Sequence, residues 1–65
     1  MKLSAYLKLN NLSYGQFAES LGLQGEFAKV SVWRYVRGTR KPKPAIAEKI
    51  VRLTNGKVSF EDLYL

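Results

Sequence analysis

The chain has 65 residues, and its 11 lysines and arginines outnumber its 5 aspartates and glutamates, which gives a formal charge of +6. A chain of this length forms one domain, residues 1–65, whose small core gains stability from a partner such as a second chain. Neither cysteine nor histidine occurs, which excludes disulfides and thiolate metal sites and removes the commonest general base, so we expect no enzyme activity, catalytic residue, metal or other cofactor.

The first two predicted helices have clear boundaries. The first spans residues 3–10 and ends at two asparagines. Its apolar stripe is Leu3, Tyr6 and Leu7. In the stretch LSYGQF, Ser13 is an N-cap and Gln16 completes a capping box, so a second helix begins there. Its buried face is Phe17, Ala18 and Leu21. Gly22 ends this helix.

The third predicted helix, residues 27–37, has two distinct faces. The inward positions are Ala28, Val32, Tyr35 and Val36. The outward positions are Lys29, Val30, Trp33, Arg34 and Arg37. Gly38 ends the helix, and the following TRKPKP is extended or turned because each proline disfavours helical backbone in the residue before it. No acidic residue lies between Glu26 and Glu48, so this part of the chain favours a polyanionic partner, with nucleic acid ahead of a membrane.

Two further helices complete the chain. Pro44 suits the first turn of the fourth helix. Its apolar stripe is Ile46, Ile50 and Leu53. This helix stops at the Asn-Gly pair of residues 55–56. In the tail, Ser59 is an N-cap with Asp62 at the third helical position, which predicts a short fifth helix. The expected fold is therefore all-α, with five short helices and little or no sheet.

The order of these segments resembles a known domain. FAESLG, then VWRYVRG, then TRKP and an amphipathic helix is similar to the lambda-repressor-like helix-turn-helix domain of phage Cro and C repressors. IAEKIVRLTNGKVSFEDL is similar to the end of Cro-like and YdaS-like regulators. The resemblance covers nearly the whole chain. It implies a sequence-specific, duplex-DNA-binding transcriptional regulator, most simply a repressor that binds a palindromic operator as a homodimer.

Two features depart from the family pattern. If Gly22 and Val32 keep their family roles, the turn between helices 2 and 3 is about four residues longer than usual, which bears on the base-reading end of helix 3. Either the surplus residues 23–27 form a larger loop or helix 3 begins one turn early. Tyr14 stands where the family often has a glutamine that contacts phosphate, although a tyrosine hydroxyl can also donate to phosphate.

DNA binding requires cations for phosphates and side chains that reach base edges. The expected base-reading residues are Lys29, Val30, Trp33 and Arg34, where Arg34 can fork onto guanine. The expected phosphate-binding residues are Ser13, Tyr14, Arg37, Arg40, Lys41 and Lys43, the first two at the start of helix 2. For Trp33, a dimer contact or partial burial remains an alternative.

The partners follow from these assignments. We expect a double-stranded DNA operator and a homodimer formed through helix 4, helix 5 and the C-terminal DLYL. No small-molecule site is evident. Because no apolar run approaches the roughly 18 residues of a membrane span, we expect no membrane insertion and a location in the bacterial or phage-infected cytoplasm, at the nucleoid. Two alternatives are a protein-interaction module that inhibits another regulator and an excisionase-like factor that bends DNA.

Overall fold

The computed structural model describes residues 1–64, and those residues form helices without any strand. In chain order the elements are α1 (Leu3–Leu9), α2 (Tyr14–Ser20), α3 (Ala28–Arg37), α4 (Pro44–Leu53) and α5 (Phe60–Tyr64). The predicted all-α architecture of five short helices is therefore confirmed for the described part of the chain. None of these helices is long and apolar enough to cross a membrane.

Each of the first four helices is followed, within two residues of its last helical residue, by a residue whose backbone is left-handed, with a positive φ. These residues are Asn11, Gly22, Gly38 and Asn55. At the end of α2, Gly22 has a φ of 78° and donates its N–H to the Glu19 carbonyl over 3.0 Å. The Leu23 N–H reaches back to the Ala18 carbonyl, also over 3.0 Å. These two bonds form a Schellman motif, which satisfies carbonyls that the helix end would otherwise leave unpaired.

The helix starts also follow the sequence. Ser13 and Gln16 form the predicted capping box: the Gln16 N–H donates to Ser13 Oγ over 3.1 Å and the Ser13 N–H donates to Gln16 Oε1 over 2.9 Å. Pro44 occupies the first position of α4, where a missing N–H costs no helical hydrogen bond. In contrast, α3 begins after Phe27 without a side-chain cap.

The core lies between the apolar faces of α1 to α4 and the segment before α5. Its fully or almost fully buried apolar residues are Leu3, Leu7, Phe17, Ala18, Leu21, Val32, Ala47, Ile50 and Val58. The rings of Tyr6 and Phe17 meet edge to face, with their centroids 6.3 Å apart, a favourable geometry for aromatic pairs. All the buried positions predicted for α1 and α2 therefore contribute to this core.

The predicted stripe of α4 is partly wrong. Ile50 is fully buried and Ile46 packs against the core, but Leu53 is 43% exposed. Ala47 and Thr54 are the buried residues in addition to Ile50. The inward face of α4 is therefore rotated toward its smaller residues, and the larger Leu53 remains in solvent.

Thr54 is the buried polar residue that joins α4 to the segment before α5. Its hydroxyl donates to the Ile50 carbonyl over 2.8 Å and accepts from the Val58 N–H over 3.2 Å. Val58 is itself fully buried, so no water can replace the hydroxyl as the partner of that N–H. The hydroxyl thus fixes where the chain turns into α5.

Thr54→Val preserves the shape of this side chain but leaves the buried Val58 N–H without a partner. We expect a loss of about 1–3 kcal/mol in the free energy of unfolding, measured by urea denaturation. Thr39→Val, at an exposed position, is the matched control and should change stability little. Equal effects of the two substitutions would contradict the role assigned to Thr54.

Candidate nucleic-acid interface

The connection between α2 and α3 is a loop of residues 21–27, and α3 does not begin early. Gly25 has a φ of 96° within this loop, and its carbonyl accepts from the Ala28 N–H over 3.3 Å. Of the surplus residues, Leu23 is half-buried and packs against the core, whereas residues 24–27 are exposed. The loop therefore absorbs the additional residues, and α3 keeps the predicted end at Gly38.

The two faces of α3 are those predicted from the spacing. Val32 is fully buried, and three further inward residues pack partly buried against the core, namely Ala28, Tyr35 and Val36. The opposite side, which we call the basic face, consists of Lys29, Val30, Trp33, Arg34 and Arg37. Val30 is half-buried and the other four are exposed. The structure therefore brings together on one surface all four residues predicted to read bases.

Trp33 and Arg37 form a stacked pair on the basic face. The guanidinium carbon of Arg37 lies 5.0 Å from the centroid of the Trp33 ring, a cation–π distance. Trp33 retains 40% of its exposure. The indole is therefore an accessible flat surface, held in place from one side by an arginine.

Three of the predicted phosphate-binding cations lie in residues 39–43, which we call the basic segment. Its exposed cations are Arg40, Lys41 and Lys43, whereas Pro42 is buried. The segment begins on the Arg34 carbonyl, which accepts from the Thr39 N–H over 3.1 Å and from the Arg40 N–H over 3.4 Å. The exit of α3 is thus bonded to the same residue whose side chain is expected to read bases.

The other anchor of the basic segment comes from α5. The Tyr64 hydroxyl donates to the Pro42 carbonyl over 2.7 Å, and the Lys41 ammonium donates to the Tyr64 carbonyl over 2.6 Å. The ammonium of Lys41, one of the predicted phosphate-binding groups, therefore also has a partner within the chain. Through Tyr64, which lies 22 residues beyond Pro42 in the chain, α5 thus holds this segment.

Carboxylates adjoin the basic face and the basic segment without pairing with them. Glu26 lines a pocket with Lys29, and Asp62 lines another with Arg37 and Lys41. Among residues 1–64 the ion pairs are those of the Met1 ammonium with Asp62 and of Arg52 with Glu48. Neither involves the basic face or the basic segment. The cations there are consequently available to an external anion, apart from the contacts of Arg37 and Lys41 already described.

The two predicted phosphate contacts at the start of α2 differ in what the structure leaves accessible. Ser13 Oγ already accepts the Gln16 N–H in the capping box. Tyr14 is 39% exposed, which leaves its side chain accessible to a ligand. Tyr14 is therefore the better placed of the pair, and Ser13 has a structural role of its own.

Comparison with known proteins assigns neither a family nor a function to this chain. No protein-family model matches the chain, and no curated protein or solved structure is detectably similar to it. Within residues 1–64, no group of three metal-ligating side chains comes together. A functional assignment therefore depends on the residues of the basic face and the basic segment.

Sequence reasoning missed the role of the C-terminal residues in the monomer. Leu63 packs against the core and the Tyr64 hydroxyl is used internally, whereas both were expected in a dimer contact. Leu65, the last residue of that predicted contact, lies outside the described residues. The contact between Tyr64 and Pro42 has no local sequence signal, because it joins residues far apart in the chain.

The start of α5 is fixed by a second capping box and an ion pair. The Ser59 N–H donates to Asp62 Oδ2 over 2.9 Å, and the Asp62 N–H donates to Ser59 Oγ over 3.2 Å. The Met1 ammonium also contacts Asp62 Oδ2 at 2.9 Å. The Ser59 N–H, followed by the ammonium, lowers the pKa of Asp62 from 3.8 to about 2. Both ends of α5 are thus attached to other parts of the chain.

Because the pKa of Asp62 is lower in the folded state, its contribution to stability is complete above the unfolded value of 3.8 and is lost as the pH falls toward about 2. Asp62→Asn should therefore flatten the dependence of the unfolding free energy on pH between these values. Glu61→Gln removes the neighbouring exposed carboxylate of the same helix and is the control. If both variants retain the wild-type slope, the proposed anchoring by ionised Asp62 is incorrect.

Tyr64→Phe removes the hydrogen bond to Pro42 and should loosen the basic segment. Loss of one such bond, about 1 kcal/mol, corresponds to amide hydrogen exchange at Thr39 and Arg40 that is about fivefold faster. Tyr6→Phe, which removes a hydroxyl from α1, should leave both amides unchanged. Unaltered exchange in Tyr64→Phe would show that α5 does not hold the segment.

Proposed function

We propose that the protein is a sequence-specific, duplex-DNA-binding regulator in which α2 and α3 form a helix-turn-helix and α3 enters the major groove. The observation that supports this most is the joining of the basic face and the basic segment into one surface, whose cations form no ion pair within residues 1–64. An α-helix fits the major groove, and cations at its exit meet the phosphates that border it.

Each part of this surface has a distinct proposed task. Arg34 forks onto the O6 and N7 atoms of guanine, and Lys29 contacts a base edge one turn earlier. Val30 and Trp33 supply apolar contacts, with the indole able to pack on a thymine methyl or on sugar. The stacked Arg37 neutralises a phosphate while it supports the indole.

The remaining phosphate contacts surround α3. Arg40 and Lys43 are exposed at its exit, and Tyr14 is exposed at the start of α2. These contacts fix the register of the protein on the duplex without reading its sequence. Ser13 and Lys41 contribute through the order that they give to the surrounding backbone as well as through their proximity to phosphate.

A homodimer on a palindromic operator is the proposed active form. Leu53 and Phe60 are 43% and 47% exposed, on α4 and α5 respectively, and exposed apolar residues of this size favour association when they adjoin one another. Occupancy of the operator is then the regulatory output, and repression by exclusion of other proteins is its simplest form.

Arg34→Ala is expected to weaken binding to the preferred duplex by about 1–3 kcal/mol and to relax the preference at one base pair. Arg37→Ala should weaken binding to all duplexes alike and reduce the slope of log affinity against log salt by about 1. Fluorescence anisotropy with a preferred and a scrambled duplex at several salt concentrations measures both effects.

Arg52→Ala removes the same charge from α4, where Arg52 pairs with Glu48, and should change affinity much less. The proposal is contradicted if neither variant of the basic face alters affinity, or if wild-type binding does not weaken as salt rises.

The exposed indole within the basic face also fits a second function, docking of an acidic protein that presents an apolar side chain. Aromatic residues and arginines are enriched in protein interfaces. Tight, salt-sensitive duplex binding with one preferred sequence would exclude this function as the principal one, whereas weak binding without sequence preference would favour it.

A further inference from the structure

The most exposed large apolar side chain among residues 1–64 is Phe27, which retains 73% of its exposure. It is the last residue of the loop before α3, at the N-cap position. Serine, threonine, aspartate or asparagine is preferred at such a position because its side chain can cap the helix. Phe27 makes no capping hydrogen bond, and it contributes no burial to the core.

The backbone of Phe27 is nevertheless well fixed. Its φ of −95° and ψ of 4° lie outside the α-helical range, but its carbonyl accepts the Ser31 N–H over 2.9 Å. The hydrogen bond between the Ala28 N–H and the Gly25 carbonyl closes the turn that precedes it. Phe27 therefore combines an exposed side chain with a hydrogen-bonded backbone.

Position 27 falls on the side of the basic face when the helical period of α3 is continued back by one residue. Residues three and seven positions further along a helix lie on the same side, and for Phe27 these are Val30 and Arg34. Phe27 thus adds a third apolar side chain to Val30 and Trp33 of the basic face, just before the N-terminal end of α3. This is the end of a recognition helix whose residues contact base edges in helix-turn-helix complexes.

We propose that Phe27 is a specificity-determining residue that packs against the 5-methyl group of thymine; this inference rests on the proposed DNA-binding function. A benzyl side chain has no hydrogen-bond donor or acceptor with which to read a base. The only apolar group that the major groove displays on a base edge is the thymine methyl. The longer loop before α3 brings to the groove a side chain that a shorter turn would not place there.

The test begins with a duplex that the wild-type protein selects from a random pool. Each thymine of that duplex is then replaced in turn by deoxyuridine, which removes only the 5-methyl group. At one or more positions the wild-type affinity should fall about fourfold, the effect of one methyl-sized apolar group, about 0.8 kcal/mol. Phe27→Ala should bind the thymine duplex at least about fourfold more weakly and should no longer distinguish it from the uridine duplex.

Two further variants separate readout from folding. Phe27→Leu retains an apolar side chain and should retain a preference for thymine over uridine. Leu9→Ala removes another exposed apolar side chain, at the end of α1, and should leave both affinities at their wild-type values.

Three results would overturn the inference. If Phe27→Ala binds both duplexes as tightly as the wild-type protein does, Phe27 serves another purpose, such as a protein contact. If Phe27→Ala keeps the full discrimination between thymine and uridine, the methyl is read elsewhere, and in these two cases the proposed DNA binding still stands. If the wild-type protein enriches no sequence, the proposed function and this inference fail together.

Discussion

The burial of Val32 is the constraint on which the candidate interface depends. Val32 has no exposed surface and belongs to the same core cluster as Phe17 and Ala18 of α2. Once this residue is buried, the helical period places Val30, Trp33 and Arg34 on the opposite side. One apolar contact inside the protein therefore determines which side chains a ligand can reach. The orientation of the basic face is a consequence of core packing, and no polar interaction across that face is needed to set it.

A second constraint comes from the shortest helix. Helix α5 is attached at its start through Ser59 and Asp62 and at its end through Tyr64, which bonds to Pro42. The basic segment lies between this contact and the Arg34 carbonyl. Because both ends of the segment are bonded, its cations lose less conformational freedom when they meet an anion than the cations of an unrestrained loop would lose. The terminal helix thus contributes to the candidate site without itself forming part of the basic face.

Local signals in the sequence predicted most of the helical framework. The capping box at Ser13, Gly22 at the end of α2 and Pro44 at the start of α4 each act within one helical turn, and each appears in the structure. The division of α3 into two faces was equally predictable, because burial there follows the helical period. By contrast, the burial of Thr54 in place of Leu53 was not predictable. The Thr54 hydroxyl is satisfied by the Ile50 carbonyl and the Val58 N–H, and the spacing of apolar residues carries no signal for these bonds.

Long-range contacts and loop conformation mark the limit of prediction from this sequence. The bond between Tyr64 and Pro42 depends on where two distant segments meet. The exposure of Phe27 depends on how the residues between α2 and α3 fold. Both features bear directly on the candidate interface. The bond from Tyr64 holds the segment that carries several of its cations, and Phe27 adds an apolar side chain beside Val30 and Trp33. The base-reading and phosphate-binding assignments rest on helix geometry and charge, and they remain proposals about DNA.

The most direct test of the account is a titration of ¹⁵N-labelled protein with a duplex selected from a random pool, followed by amide chemical shifts. We predict that the largest changes fall in residues 27–43, which contain α3 and the basic segment, and that the exposed side of α1 changes least. Saturable binding with the largest shifts outside residues 27–43, or no saturable binding to any duplex, would contradict the central claim that α3 is the DNA-binding element.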